Sequence, residues 1–107
     1  MLTNIDHAPG WRIVEHKGLV QGSTVQSKHI GRDIFASLKN IIGGELKGYT
    51  ELLEEARNEA LRRMMTQAKE TGANAVLNVR FSTSTITAGA AEILAYGTAV
   101  LVEREEA

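Results

Sequence analysis

Apolar residues recur along this chain with two different periods, and the change between them falls at Gly72. From Tyr49 to Lys69 the apolar positions Leu53, Ala56, Ala60, Met64 and Ala68 repeat every three or four residues, the spacing of one helix face. Leu52, Leu61 and Met65 widen that stripe, and Glu54, Glu55, Arg62, Arg63 and Glu70 fill the rest. The spacing predicts an amphipathic helix of about 22 residues, about 33 Å long. Thr50 is placed to cap its start, and Glu51, Glu54 and Glu55 suit the positive end of its dipole. Gly72, just after Lys69, is a residue that can end a helix in the left-handed conformation. After Ala73-Asn74 the period drops to two. Ala75, Leu77, Val79 and Phe81 alternate with Val76, Asn78, Arg80 and Ser82, as in a strand.

Upstream, residues 1 to 10 read as an extended arm closed by the turn Ala8-Pro9-Gly10. Trp11 to Val25 is rich in β-favouring residues and reads as a strand. Gly18 and Gly22 interrupt it, each marking a bulge, a bend or a second backbone close by. Ser27 is placed to cap a shorter helix carrying Ile30, Ile34, Leu38, Ile41 and Ile42, with Phe35 beside them and Gly43-Gly44 at its end. Thr87-Ala88-Gly89-Ala90 suits a hairpin connection, and Glu92 to Glu103 forms the last strand. Strand, helix, helix, strand, strand is an α+β order. It predicts a three-stranded, mainly antiparallel sheet with a short and a long helix on one face. The first strand must pair with one arm of the hairpin.

The last strand is apolar on both sides. One face carries Leu94, Tyr96, Thr98, Val100 and Val102, and the other Ile93, Ala95, Gly97, Ala99 and Leu101. A sheet with helices on one side only should show water a polar face. With both helices committed, a second subunit is the expected cover; a small exposed apolar patch is the alternative.

Composition narrows the function classes. A chain of 107 residues is one domain, residues 1–107, with one modest core. A net charge of −1 gives no strong pull towards nucleic acid or an anionic membrane, so neither is an expected partner. There is no cysteine, hence no disulfide and no thiolate metal site. No run of about 18 apolar residues suggests a membrane span. The start Met1-Leu2-Thr3-Asn4-Ile5-Asp6 lacks the basic and apolar regions of a signal peptide, and a cytoplasmic location is expected.

Candidate chemistry is sparse. His7, His16 and His29 are not spaced as metal ligands within one element, and read as separate surface residues unless subunits bring copies together. Gly43-Gly44-Glu45-Leu46-Lys47-Gly48-Tyr49-Thr50 has the outline of a phosphate loop, but Tyr49 stands where the lysine belongs and a helix, not a strand, precedes it. Arg80, Glu92 and Tyr96 are polar groups in the hairpin strands. Arg80, flanked by Val79 and Phe81, is expected to be partly buried and to pair with Glu92 of this chain or the next. With Asn78 and Gly97 they make up the ligand or interface candidates. Met64-Met65 reads as core packing. No catalytic residue, metal ligand set or cofactor is indicated.

Several segments together resemble one family. They are Gly18-Leu19-Val20-Gln21-Gly22, Gly43-Gly44-Glu45-Leu46, Tyr49-Thr50-Glu51-Leu52-Leu53 and Glu55-Ala56-Arg57. Further on come Gly72-Ala73-Asn74-Ala75-Val76 and Glu92-Ile93-Leu94-Ala95-Tyr96-Gly97-Thr98-Ala99-Val100. In this order they look like the YbjQ-type family, which carries a heavy-metal-binding label and no settled activity. The resemblance implies a dodecin-like α+β subunit and a homopentameric ring. Three readings follow: a non-enzymatic ring whose function lies in a surface or pore shared by subunits; metal or small-ligand binding at subunit interfaces; and an enzyme with a composite site around Arg80, Glu92 and Tyr96.

Overall fold

The computed structural model describes residues 1–27, 47–87 and 90–106. Within them lie strand β1 (Trp11–Ser27), helix α1 (Lys47–Glu70), and strands β2 (Ala75–Thr87) and β3 (Ala90–Arg104). The expected short helix after Ser27, the Gly43-Gly44 loop and the tip of the hairpin at 88–89 lie outside the described residues. The sheet order is β1-β3-β2, with both pairings antiparallel. β3 is therefore the central strand, paired along both edges.

α1 starts at Lys47, earlier than its pattern suggests, so Thr50 lies inside the helix rather than capping it and no acid occupies the first turn. Its end matches expectation. Gly72 takes φ +88°, its amide donates to the Lys69 carbonyl at 3.0 Å, and that of Ala73 donates to Ala68 at 3.2 Å.

The helix buries Ala56, Ala60, Met64 and Ala68 against Val20, Val76, Val79, Ile93, Ala95 and Ala99. Its small residues let it settle directly on β1. A Cβ at Gly22 would collide with the Met64 nitrogen and the Ala60 carbonyl, and would lie 2.7 Å from Arg63 Cβ. The hydroxyl of the neighbouring Thr24 donates to the Ala56 carbonyl at 3.3 Å. Gly18 has a different cause. It takes φ +104° at a register shift between His16 and Gly18, in open space. One glycine marks a bulge and the other a close backbone approach.

A second apolar cluster lies on the opposite face: Ala8, Ala75, Leu77, Val100 and Val102, with Trp11 and Ile13 against them. Here the expectation that a second subunit is needed as cover is corrected in part. The arm before Trp11 does that work at one end of the sheet. Its turn closes through Trp11 N donating to the Ala8 carbonyl at 2.9 Å. Residues Leu2 to Ile5 run beside β2, with Leu2 bridging Val76 in parallel. Val79 donates to Thr3, and Asn78 to Ile5, at 3.0 and 2.9 Å. Beyond the arm, Leu19 is 71% exposed and Val25 41%, while Leu94, Tyr96 and Thr98 are half-buried.

The molecule measures 56 × 27 × 17 Å, with a radius of gyration of 17.2 Å. A compact domain of this length would have about 13 Å. Its surface of 7315 Å² likewise exceeds the about 5,800 Å² of a compact chain of this mass.

Candidate functional site

The antiparallel register and the two-residue period of a strand bring the polar candidates together. Tyr96 lies between Gln21 on β1 and Arg80 on β2; Leu94 lies between Ser23 and Ser82, and Glu92 between Val25 and Ser84. These rows alternate with Val20, Gly22 and Thr24, which meet α1, so they form the face turned away from the helix. Arg80, Tyr96 and Glu92 thus share one surface.

They do not form the expected pair within the chain. Glu92 stands four residues along β3 from Tyr96, the cross-strand partner of Arg80, a separation of about 13 Å along the strand. Arg80 instead donates through Nη1 to the Asn4 carbonyl at 2.7 Å and the Val79 carbonyl at 3.0 Å. It is exposed, not partly buried, because the rows on this face have no helix above them among the described residues. Glu92 is half-buried and has no ion-pair partner among the described residues.

Asn78 and Gly97 belong to one feature. Two residues of β2, Asn78 and Val79, stand where the register shifts between Leu77 and Arg80, opposite Gly97. Asn78 takes φ 54°, a left-handed conformation that asparagine tolerates better than most residues. A Cβ on Gly97 would meet Val76 Cγ1 at 2.6 Å and the Leu77 carbonyl at 2.9 Å. The bulge presses onto Gly97 and turns Asn78 and Val79 amides towards the arm. These two residues shape the sheet beside the open face rather than lining it.

Sequence reading missed two sets of side-chain contacts to backbone. Asn74 donates through Nδ2 to the Val102 carbonyl at 2.9 Å and accepts from the Val102 amide at 2.8 Å, extending the β2–β3 ladder by an amide side chain. Gln67 and Arg63 reach from α1 to β1: Gln67 Oε1 accepts from the Gln21 amide at 2.7 Å, and Arg63 Nη1 donates to the Ser23 carbonyl at 2.5 Å. Neither leaves a periodic signal, since Gln67 and Arg63 occupy polar positions of α1 and Asn74 lies in the connection before β2.

Charges elsewhere pair locally. Arg12 pairs with Glu103 across β1 and β3, and Arg104 sits 5.7 Å from the Trp11 ring. The hydrogen bond from Arg62, with the charge of Arg62 and the contact with Arg63, holds the Glu59 carboxyl below its ordinary range against the opposing effect of desolvation. Asp6 is lowered by its hydrogen bond from His7 Nδ1 at 2.8 Å. His16 is exposed on β1, and His29 lies outside the described residues. Among the described residues, no three His, Cys, Asp or Glu side chains converge as a metal would require, and no helix is long and apolar enough to cross a membrane. The open face carries a guanidinium, a phenol, a carboxylate and hydroxyls around Leu94 and Leu19.

Residues 1–103 match the YbjQ family model, whose description is "Putative heavy-metal-binding". A UPF0145 protein of Hahella chejuensis is 67% identical over 103 residues, covering 96% of this chain and 99% of that protein. A UPF0145 protein of Thermococcus kodakarensis is 58% identical over 106 residues, covering 99% and 94%. A crystal structure from Pediococcus pentosaceus, of a protein of unknown function in the DUF74 family, shares the fold with a TM-score of 0.62. Its identity is 13%, over 96% of this chain and 97% of the other.

Proposed function

The chain belongs to the YbjQ (UPF0145) family, and from that membership we propose that it works as a homo-oligomeric ring, a pentamer, acting through a surface that several subunits build. The observation that carries this reading is the open sheet face. Leu19, 71% exposed, stands at one end of a surface running through Tyr96 and Leu94 to Val25. Apolar Leu19, Leu94 and Val25 alternate there with Gln21, Ser23, Tyr96 and Arg80, and exposed apolar residues within a polar surround suit a subunit contact. The thin, extended shape supports the same reading, because packing subunits side by side removes the excess surface. Arg80, Tyr96 and Glu92 are the contact residues on this face, with Asn78 and Gly97 shaping the strands beside it. The ring needs no cofactor, performs no reaction, and works in the cytoplasm. Its partner is itself, and the charge of −1 favours neither nucleic acid nor membrane. Light scattering after size exclusion tests the assembly.

A second reading takes the family description at its word and puts a heavy metal or small ligand at the junction between subunits. The exposed Asp6–His7 pair supports it: two donors side by side, which a neighbouring copy would complete. Metal analysis of untagged protein separates the two. The ring reading expects no metal after dialysis, and a stoichiometric metal carried through purification favours the second.

A further inference from the structure

Among the described residues β1 lies at one side of the sheet, so the backbone groups of its outer edge should be free to take another strand. At residues 21 to 23 two of them are not free. The Gln21 amide and the Ser23 carbonyl belong to alternate residues that face the same side of the strand, away from Gly22. Both are taken by side chains of α1: Gln67 Oε1 accepts from Gln21 at 2.7 Å, and Arg63 Nη1 donates to Ser23 at 2.5 Å. Between them Gly22 lies beneath the helix backbone, so α1 is fixed at the right height over the edge. Glu59 steadies the arginine by accepting from its Nε at 3.3 Å. One acceptor and one donor, four residues apart on a helix, thus stand in for the donor-acceptor pattern of a neighbouring strand.

We infer that Gln67 and Arg63 form a clamp that closes the outer edge of β1 to strand addition by a second copy of this chain. The first half of that edge is also hard to extend. Register shifts between Ile13 and Glu15 and between His16 and Gly18 break it there, where Glu15 and Lys17 add charges. A second copy is the relevant intruder because every copy carries the same long strands at the same local concentration. The clamp thereby blocks edge-to-edge growth, whatever contacts the open sheet face makes.

The test combines hydrogen–deuterium exchange, read by mass spectrometry on peptides spanning Leu19–Val25, with light scattering over a range of protein concentrations. In the parent, this edge segment exchanges slowly and the mass is independent of concentration. Replacing both residues, Gln67→Leu with Arg63→Leu, speeds exchange in the segment about tenfold and yields species that grow with concentration. Gln67→Glu, which keeps the acceptor, retains the parent's exchange. If the double variant also loosens Ala56–Ala68, α1 has undocked, and Gln67→Leu alone carries the same two readouts. Unchanged exchange at Leu19–Val25 overturns the clamp. Faster exchange without any growth in mass overturns its role as a guard.

Discussion

Gly97 is the residue whose environment makes the sharpest demand on its identity. The β2 bulge brings Val76 Cγ1, the Leu77 carbonyl and the Val79 Cα to within 2.6, 2.9 and 3.5 Å of where a Cβ would sit. Two of these three are backbone atoms of a paired strand and cannot rotate aside. Gly97→Val should therefore lower stability by about 1–3 kcal/mol through overpacking, measured as a shift in the urea midpoint. An unchanged midpoint would mean that the bulge moves away at little cost. A glycine in mid-strand between Tyr96 and Thr98 already points to a close neighbour. Which neighbour is not legible, because the bulge depends on one left-handed residue, Asn78, that looks like any polar strand position. Arg80 shows the opposite limit. Its apolar flanks suggest burial, but the face it occupies has no layer above it among the described residues, and flanking residues of a strand point to the other side.

At the scale of elements, the periods of three to four and of two locate α1 and the strands well. They report which face is buried, not which strand lies next to which. The central place of β3 could be suspected only from its lack of a polar face. The arm that pairs with β2 has no repeating pattern to announce it. The same holds for the polar face of α1, where one short cluster invites a direct test. Glu59 binds Arg62 and Arg63, three and four residues on, and its carboxyl is held below the ordinary value of 4.5, first by the hydrogen bond from Arg62. A carboxyl lowered on folding adds stability that is present above its unfolded pKa and is lost as pH falls through the folded one. The difference in urea midpoint between the parent and Glu59→Gln should thus be present at pH 7 and close as pH falls below 4.5. A gap that keeps its full size however far pH falls below 4.5 would show that the carboxylate charge is not its source. The effect will be small, since the group is exposed and screened.

For the whole molecule, family and α+β fold were legible from segments such as Gly-Ala-Asn-Ala and Tyr-Gly-Thr-Ala-Val, because tight backbone contacts dictate them. Asn74 holds Val102 by two hydrogen bonds, and Gly97 lies under the bulge. The candidate site was legible only as a set of residues on one face. Arg80 and Glu92 share that face without touching, so within the chain they give no ion pair to anchor a reaction. What they leave is a sheet with one face half covered by the arm, Leu19 in water, and a radius of gyration of 17.2 Å. A single copy would keep Leu19 and Val25 in water, which the proposed assembly would cover. The most direct measurement is the mass of the unmodified protein by light scattering after size exclusion at micromolar concentration. A pentameric ring gives a mass near five times the 11.6 kDa chain, and a stable, folded species of 11.6 kDa would contradict it.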